Sequence, residues 1–367
     1  MGTRTLVVSI VAATLAVSCI VVLAVPVTRE ALHRAWCDVT AIGCEEVPGP
    51  PGEDHPGEES DWRVRLDPVE AATWGNYFAL GDSYSSGHGA ERYVPDTAVS
   101  GGCWRSNNAY PKTLVESYEF AGTLALVACS GQRGAAMLEA LGSGESQLGQ
   151  VNRHTSLVTI GIGGNDLGFT SVLKTCMVRV PLLEADACVG QEDEINERMA
   201  VFADTFDSLV TEVRDRAPDA RVIVVGYPRL FDQEPNGMYY TLTASDQVWL
   251  NETIKRFNDQ LAEAVEAFDT EIAEEGQVGS VEFVDAYQVL DGHEIGTEEP
   301  WVNGVLISEL QDGITLDTST FHPTAAGQQA VGRRLAAQVE AGPGRDLYAT
   351  REIVDGASSE VLAGEVD

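Results

Sequence analysis

The stretch "NYFALGDSYSSG", residues 76–87, runs from a short apolar segment directly into a glycine, an aspartate and a serine. A continuous apolar segment, rather than an alternating one, predicts a strand that is covered on both faces, as in a parallel sheet. The polar residues that follow then lie at the carboxyl end of that strand. Because ligands bind at the carboxyl ends of strands in open parallel sheets, the Ser83 hydroxyl is a candidate reactive group.

Five apolar segments of this kind alternate with helical patterns along the chain. We predict strands at residues 77–81, 123–128, 157–161, 221–226 and 280–285, and helices at 110–118, 134–141, 192–217, 245–274 and 323–339. In "NETIKRFNDQLAEAVEAF", residues 251–268, apolar side chains recur every three or four positions, which indicates an amphipathic helix. This alternation predicts an α/β fold, a three-layer α/β/α sandwich around a five-stranded parallel sheet.

Small polar motifs follow several of the predicted strands. "ACSG" occupies residues 128–131, "GGND" occupies residues 163–166, and "FHPTAAGQ" at residues 321–328 precedes the last helix. With the serine they supply an alcohol, backbone N–H groups beside glycine, a carboxamide and an imidazole. These are the components of a serine acyl-transfer site. Each residue alone has a simpler interpretation as a turn or capping residue.

The four motifs, in this order, resemble the SGNH or GDSL hydrolase superfamily, and most of all its secreted actinobacterial lipases and esterases. The resemblance spans about residues 76–339 and implies a flavodoxin-like fold. It implies that Ser83 is the nucleophile and His322 the general base. It also implies an oxyanion hole made by the backbone N–H groups of Ser83 and Gly131 and the side-chain amide of Asn165. The expected reaction is carboxylic ester hydrolysis through an acyl-enzyme, without cofactor or metal.

One position departs from the family pattern, which is Asp-x-x-His. Ser319 stands where the aspartate is expected, and the nearest upstream carboxylate is that of Asp317. In one interpretation a backbone carbonyl, that of Ser319, accepts the imidazole Nδ1–H of His322. In the other, Asp317 reaches the imidazole through a different loop course. We favour the carbonyl, because a neutral acceptor still fixes the tautomer of the ring.

Three further residues near the motifs are given structural interpretations. His88 is close to the nucleophile in sequence but lies beyond the glycine turn, so we interpret it as a bystander. His293, in "GHE" at residues 292–294, is interpreted as structural. Asp82 is expected to hold the nucleophile loop by hydrogen bonds rather than to transfer protons.

The cysteines predict disulfide bonds rather than metal binding. There is no C-x-x-C motif, and apart from Cys19, which lies in an apolar run, the cysteines fall into neighbouring pairs. Other pairings remain open, because connectivity does not follow from sequence. Disulfides persist outside the cytosol, so an extracellular location is expected. The predicted pairs are Cys37–Cys44, Cys103–Cys129 and Cys176–Cys188.

The chain divides into four predicted regions. Residues 6–27 carry no charged side chain, which predicts a membrane anchor or a cleaved export signal within residues 1–28. Residues 29–70 are rich in proline, glycine and acid and are predicted to be an extended spacer. The hydrolase domain is expected at residues 71–341. An acidic, loosely ordered tail is expected at residues 342–367.

The charge balance restricts the partners of the protein. The chain has 23 basic and 57 acidic residues, a net charge of −34, which excludes nucleic acid as a partner. We expect a monomer that meets the membrane only through its N-terminal segment and acts on small-molecule or lipid esters. An apolar acyl groove is expected between residues 87–105 and 169–190, with Tyr84, Phe169, Met177 and residues 178–183 as its surface. Two alternatives are a carbohydrate O-deacetylase and a non-catalytic surface binding protein on the same fold.

Overall fold

The computed structural model describes residues 62–141, 146–177, 187–310 and 313–366. Its strands are β1 (Arg63–Leu66), β2 (Asn76–Gly81), β3 (Leu124–Leu126), β4 (Thr155–Gly161), β5 (Arg221–Val225), β6 (Ser280–Val284), β7 (Ile307–Leu310), β8 (Gly313–Leu316) and β9 (Leu347–Thr350). Its helices are α1 (Pro68–Thr73), α2 (Ser83–Ser86), α3 (Tyr110–Ser117), α4 (Gly134–Glu139), α5 (Gln147–Gln150), α6 (Phe169–Met177), α7 (Glu192–Arg216), α8 (Ala244–Glu274), α9 (Ala325–Ala341), α10 (Arg351–Gly356) and α11 (Ser359–Ala363).

The central sheet is five-stranded and entirely parallel, in the order β3-β2-β4-β5-β6. This confirms the predicted α/β architecture and its five core strands. The chain leaves β2 for β3 on one side and then crosses to β4 on the other side. Such a reversal opens a crevice at the carboxyl ends of the two central strands, here β2 and β4.

Helices cover both faces of the sheet, because side chains of a strand point alternately to opposite faces. In β2, Phe78 and Leu80 pack into one core together with apolar residues of α7 and α8. Tyr77 and Ala79 pack into a second core with residues of α1, α3 and α9. All six residues of β2 are buried, which explains its unbroken apolar sequence.

A buried ion pair holds the amino-terminal edge of the sheet. The guanidinium of Arg221 donates to both carboxylate oxygens of Glu282, at 2.8 and 2.6 Å, and both side chains are essentially inaccessible to solvent. Arg221 also donates to the backbone carbonyl of Val339 at 2.8 Å. Glu282 accepts from the Ser280 hydroxyl at 2.6 Å and the Gln338 amide at 2.9 Å. Each group of this cluster therefore has fixed partners.

The inner parts of the predicted spacer and of the predicted tail belong to the folded domain, so both boundaries need correction. Strand β1 pairs antiparallel with β9, so residues on either side of 71–341 join the same folded unit. The C-terminal segment is also docked, because Leu362 is 1% exposed and its carbonyl accepts from the buried Asn76 amide at 3.0 Å. Its apolar side chain and paired backbone explain why this acidic segment is ordered.

Two features differ from, or lie beyond, the sequence predictions. The antiparallel hairpin β7–β8 was not predicted, and it precedes the segment that carries His322. The predicted N-terminal anchor and Cys37–Cys44 lie outside the described residues. Within the ranges that are described, no helix has both the length and the apolar character needed to cross a membrane.

Candidate active site

Ser83 begins helix α2 at the carboxyl end of β2. The turn between them requires a glycine, since Gly81 has a φ of 128° and a Cβ there would lie 2.2 Å from the Gly161 carbonyl oxygen. Asp82 is the N-cap of α2, and its carboxylate accepts the Tyr84 backbone N–H at 2.9 Å. This local geometry fixes the Ser83 backbone at the crevice and leaves its side chain 8% exposed.

Asp82 holds the turn that carries Ser83 in place by hydrogen bonds, as predicted from the sequence. Its second carboxylate oxygen accepts from the Tyr227 hydroxyl at 2.6 Å in a buried environment. Burial raises the pKa of the Asp82 carboxyl to about 7, although the Tyr227 hydroxyl and Tyr84 N–H act in the opposite direction. The hydrogen bonds of Asp82 all run to this framework, so its contribution is the shape of the turn.

His322 lies directly against Ser83. Its Nε2 is 2.7 Å from the Ser83 hydroxyl oxygen, and its Nδ1 is 3.1 Å from the Thr320 carbonyl oxygen. Because a carbonyl only accepts, Nδ1 carries the proton and Nε2 offers its lone pair to the hydroxyl. The preceding residue, Phe321, has a φ of 67° and accepts the Tyr84 hydroxyl at 2.6 Å, which fixes the approach of the ring.

The acceptor for His322 differs by one residue from the prediction. The Ser319 carbonyl accepts the backbone N–H of His322 at 3.1 Å, while the ring nitrogen is bonded to Thr320. The carboxylate of Asp317 turns back onto Ser319, accepting its backbone N–H at 2.8 Å and its hydroxyl at 2.5 Å. Asp317 therefore forms a turn within residues 317–322, which we call the base loop, rather than an ion pair with the imidazole.

Burial governs the protonation of the His322 imidazole. It lowers the pKa of the His322 imidazole to about 4, against the opposing effects of the Thr320 and Ser319 carbonyls and of the Asp317 carboxylate. The ring is therefore neutral near pH 7. A neutral imidazole is the form that accepts a proton from a serine hydroxyl.

Gly131 and Asn165 lie on the loops that follow β3 and β4. Gly131 has a φ of 81°, and the neighbouring Cys129 N–H donates to the Gly81 carbonyl at 3.0 Å, which holds this loop beside the nucleophile turn. We call residues 129–132 the oxyanion loop. The Asn165 amide donates to the Gln132 carbonyl at 3.0 Å and lines the same cavity as Ser83 and His322. An amide has a second N–H, so Asn165 retains one donor for a ligand.

A disulfide bond and hydrogen bonds from Arg105 hold the oxyanion loop in place. The predicted disulfide Cys103–Cys129 is formed, with its Cα atoms 4.0 Å apart. Arg105 adds two hydrogen bonds, donating to the carbonyls of Ala128 and Val127 at 2.9 Å each. The second predicted disulfide, Cys176–Cys188, is formed at the end of α6.

The sequence interpretation placed His88 as a bystander, but the structure places it in contact with the site. Its ring lies 4.9 Å from that of His322, centroid to centroid, and is stacked on Trp104 at 4.7 Å. No local pattern signals this, because the contacting residues are far apart in the chain. His293 instead stacks on Trp301 at 3.6 Å and bonds to the Glu299 carbonyl.

An apolar cavity opens beside Ser83. Its volume is about 70 Å³, and Tyr84 and Phe169 line it as predicted. Met177 and residues 87–105 do not contribute to its lining, and residues 178–183 lie outside the described structure. The remaining apolar walls come from the segment between β4 and α6, from α6, from the β5 exit, from α8 and from the base loop: Leu167, Leu173, Tyr227, Pro228, Ile254, Phe257 and Phe321. The groove therefore lies deeper than expected, against α8. The sequence predicted this long helix but gave it no part in the groove.

The part of the chain that the structure describes shows no metal site. There, no group of three or more His, Cys, Asp or Glu side chains is arranged to hold a metal ion. The arrangement of Ser83 and His322 supports proton transfer between an alcohol and an imidazole, beside hydrogen-bond donors and an apolar wall.

Comparison with known proteins agrees with this geometry. Residues 79–330 match the model of the GDSL-like lipase/acylhydrolase family. Lipase 1 of Streptomyces coelicolor is 30% identical over 261 residues, which cover 71% of this chain and 85% of the relative. A lipase of Streptomyces rimosus is 33% identical over 258 residues, covering 69% and 82%.

Solved structures show the same likeness. The crystal structure of phospholipase A1 from Streptomyces albidoflavus NA297 is similar, with a TM-score of 0.58 and 30% identity over 73% of this chain and 99% of that one. An extracellular lipase from Streptomyces rimosus also has a TM-score of 0.58 and 30% identity, over 72% and 99%. The chain therefore belongs to the GDSL-like lipase/acylhydrolase family and is a serine ester hydrolase.

Proposed function

We propose that Ser83 is the nucleophile and His322 the general base of this hydrolase. The observation that carries the proposal is the 2.7 Å contact between Ser83 Oγ and His322 Nε2 beside the apolar cavity. Nε2 takes the hydroxyl proton as Oγ attacks the ester carbonyl, and then gives that proton to the leaving alcohol. A water molecule, deprotonated by the same nitrogen, hydrolyses the acyl-enzyme and regenerates the serine.

The orientation of the base is assigned to the Thr320 carbonyl. Its distance of 3.1 Å from Nδ1 supports one tautomer of His322, the tautomer that general-base catalysis requires. A neutral carbonyl stabilises the imidazolium less than a carboxylate does. Asp317 contributes only a through-space charge in this proposal, consistent with its hydrogen bonds to Ser319.

The oxyanion is assigned to three donors, the backbone N–H groups of Ser83 and Gly131 and the free N–H of Asn165. The amide of Asn165 bonds to Gln132 with one hydrogen, which supports a fixed direction for the other. Preorganised donors of this kind each contribute about 10²–10³ in rate.

The substrate is proposed to be an ester with an extended apolar acyl chain, from a lipid or a small molecule. The apolar walls of the cavity support this, because an acetyl group would leave most of them uncovered. Relatives described as lipases and a phospholipase A1 also support it. A polar glycan on the alcohol side, as in an O-deacetylase, finds no supporting feature in the cavity lining.

An extracellular site of action is proposed as well. The two disulfides of the catalytic domain and the likeness to an extracellular Streptomyces lipase support it. Residues 6–27 would then deliver the chain as an export signal or hold it at the cell surface as an anchor.

The decisive experiment is a chain-length profile. The full-length protein is assayed with p-nitrophenyl esters from acetate to palmitate and labelled with a fluorophosphonate, with Ser83→Ala as the control. We expect kcat/KM to peak at an acyl chain longer than acetate, and labelling to require Ser83. A peak at acetate, together with turnover of acetylated glycans, would instead indicate an O-deacetylase. Neither turnover nor labelling would leave a non-catalytic binding protein.

A further inference from the structure

His88 connects the base loop with the oxyanion loop. Its side chain is 2% exposed, and its two ring nitrogens contact hydroxyls of different loops. Nδ1 is 2.9 Å from Ser130 Oγ in the oxyanion loop, and Nε2 is 3.2 Å from Thr318 Oγ1 in the base loop. One buried ring therefore spans the two segments that flank the nucleophile.

Ring contacts and a backbone hydrogen bond fix the orientation of the His88 ring. It is stacked on Trp104, with centroids 4.7 Å apart and planes 5° apart, and it contacts the His322 ring at 4.9 Å and 33°. The backbone N–H of His88 donates to the Ser83 carbonyl at 3.0 Å. Rotation of the imidazole about its Cβ–Cγ bond would break both hydroxyl contacts. The position of the ring is therefore coupled to that of Thr318.

The chemistry of the cluster requires an uncharged ring. Burial and the neighbouring His322 lower the pKa of His88 to about 3, while Asp317 acts in the opposite direction. Hydroxyl groups both donate and accept, so Ser130 and Thr318 satisfy either neutral tautomer of His88. A neutral neighbour also avoids repelling the imidazolium that His322 forms during the reaction.

On the basis of the catalytic roles proposed above, we propose that His88 is a positioning residue for His322. It holds the base loop against the oxyanion loop in a chain that has Ser319 where the family pattern has an aspartate. Thr318 is two residues from Thr320, so holding Thr318 holds the carbonyl that orients Nδ1 of the base. His88 is not among the residues that line the substrate cavity. Its loss should therefore lower kcat and leave KM nearly unchanged.

The test is His88→Phe in the full-length protein. Phenylalanine keeps a flat ring beside Trp104 and removes both hydrogen-bonding nitrogens. We expect kcat to fall about 30-fold with KM within about twofold, because small misplacements of a catalytic group are costly. The rate at which a fluorophosphonate labels Ser83 should fall by the same factor.

A double-mutant cycle tests the link to the base loop. Thr318→Val removes the hydroxyl but keeps the shape, and we expect a loss in kcat of about three- to fivefold, since Thr318 is exposed to competing water. In the His88→Phe background the same change should have almost no further effect. If His88→Phe does not fold, Thr318→Val and Ser130→Ala, alone and combined, carry the same test.

The matched control is His293→Phe, which alters another histidine stacked on a tryptophan, Trp301. Its kcat should remain within about twofold of the parent, since it is not bonded to either loop. Parental kcat in His88→Phe, or additive losses with Thr318→Val, would overturn the inference. Ser83→Ala, measured in parallel, separates the two proposals: if it retains activity, the proposed function fails, whereas an inactive Ser83→Ala with a parental His88→Phe refutes the positioning role alone.

Discussion

Polar side chains at the two ends of the central sheet differ in the number and charge of their hydrogen-bond partners. At the amino end, Arg221 and Glu282 bind one another through two hydrogen bonds and are completed by backbone carbonyls, a serine and a glutamine. At the carboxyl end, Ser83 and His322 share one hydrogen bond, and the imidazole has a single neutral carbonyl on its other side. The first pair lies on strands β5 and β6, and the second lies on helix α2 and the base loop, beyond the carboxyl ends of the strands.

The difference follows from what each end must do. A buried charge pair whose partners are all satisfied is fixed in one state, and removing either partner leaves an uncompensated charge. In the proposed mechanism His322 must exist in two protonation states, and the neutral Thr320 carbonyl accepts from Nδ1 in both of them. The amino end therefore contributes to stability and specificity of the fold, and the carboxyl end retains groups whose protonation can change.

The largest expected effect comes from Ser83→Ala. We expect kcat/KM for p-nitrophenyl esters to fall about 10⁴- to 10⁶-fold, because no other group can form the acyl-enzyme. The free energy of unfolding should change by less than about 1 kcal/mol, since the hydroxyl supports no framework contact. Esterase activity above about one hundredth of the parent value would refute the role of Ser83.

A substitution at the amino end of the sheet should lower stability and leave activity nearly unchanged, the opposite of Ser83→Ala. Glu282→Ala leaves the guanidinium of Arg221 buried without a counter-charge and should lower the free energy of unfolding by about 3–5 kcal/mol. Below the unfolding transition, kcat should stay within about twofold of the parent, because the pair lies at the other end of the sheet. Urea denaturation and steady-state kinetics measure the two quantities.

A surface ion pair provides the control for that variant. Lys255 and Asp259 pair at 2.7 Å on α8, with both side chains 56% exposed. Asp259→Ala should change the free energy of unfolding by no more than about 1 kcal/mol. Equal changes in the free energy of unfolding for Asp259→Ala and Glu282→Ala would mean that burial does not increase the contribution of the Arg221–Glu282 pair to stability.

The pH dependence of activity and of stability should reflect the low pKa of His322. The base must be neutral, and the folded pKa of His322 is about 4, so kcat/KM should be constant near neutrality and fall about tenfold per pH unit below pH 4. The unfolded imidazole titrates near 6.5, so between about pH 6.5 and 4 the unfolded chain binds the extra proton and His322 lowers stability as the pH falls. An acid limb near pH 6.5 in the kcat/KM profile would contradict the effect of burial.

The smallest expected effect is that of Asp317→Asn. The side chain is exposed and accepts from Ser319, contacts that an asparagine oxygen can also make. Esterase kcat should therefore fall less than about fivefold, the effect of a screened surface charge on the imidazolium. A loss near 10⁴-fold, with an unchanged circular dichroism spectrum, would assign the orienting role to Asp317 instead of the Thr320 carbonyl.

Much of the framework followed from local pattern. Continuous apolar segments predicted the five core strands, and glycine-rich motifs after them placed Ser83, Asn165 and Gly131 at one rim, since parallel strands share the direction of their carboxyl ends. The acceptor of the base was misassigned by one residue, to Ser319 instead of Thr320. A loop can rotate a carbonyl toward or away from a ring with small changes in φ and ψ, and residue identity does not encode that choice.

Three features depended on contacts between distant residues. His88 meets Ser130 and Thr318, Arg221 meets Glu282, and the C-terminal segment docks through Leu362. In each case the partner is far away in the chain, so neither composition nor periodicity signals the contact. For this reason the sequence analysis did not predict that the C-terminal segment is folded. Its acidic composition indicated a loosely ordered tail, whereas one buried leucine and one strand pairing attach it to the domain.

By itself, the sequence determined the α/β class, the alternation of strands and helices and the motifs that contain Ser83 and His322. These follow from hydrophobic periodicity and short motifs, which act over a few residues. Only the tertiary structure decided which carbonyl faces the imidazole, which histidine contacts the base loop, and where the apolar cavity lies. Those properties depend on distances between segments that are far apart in the chain, and packing of the whole domain sets such distances.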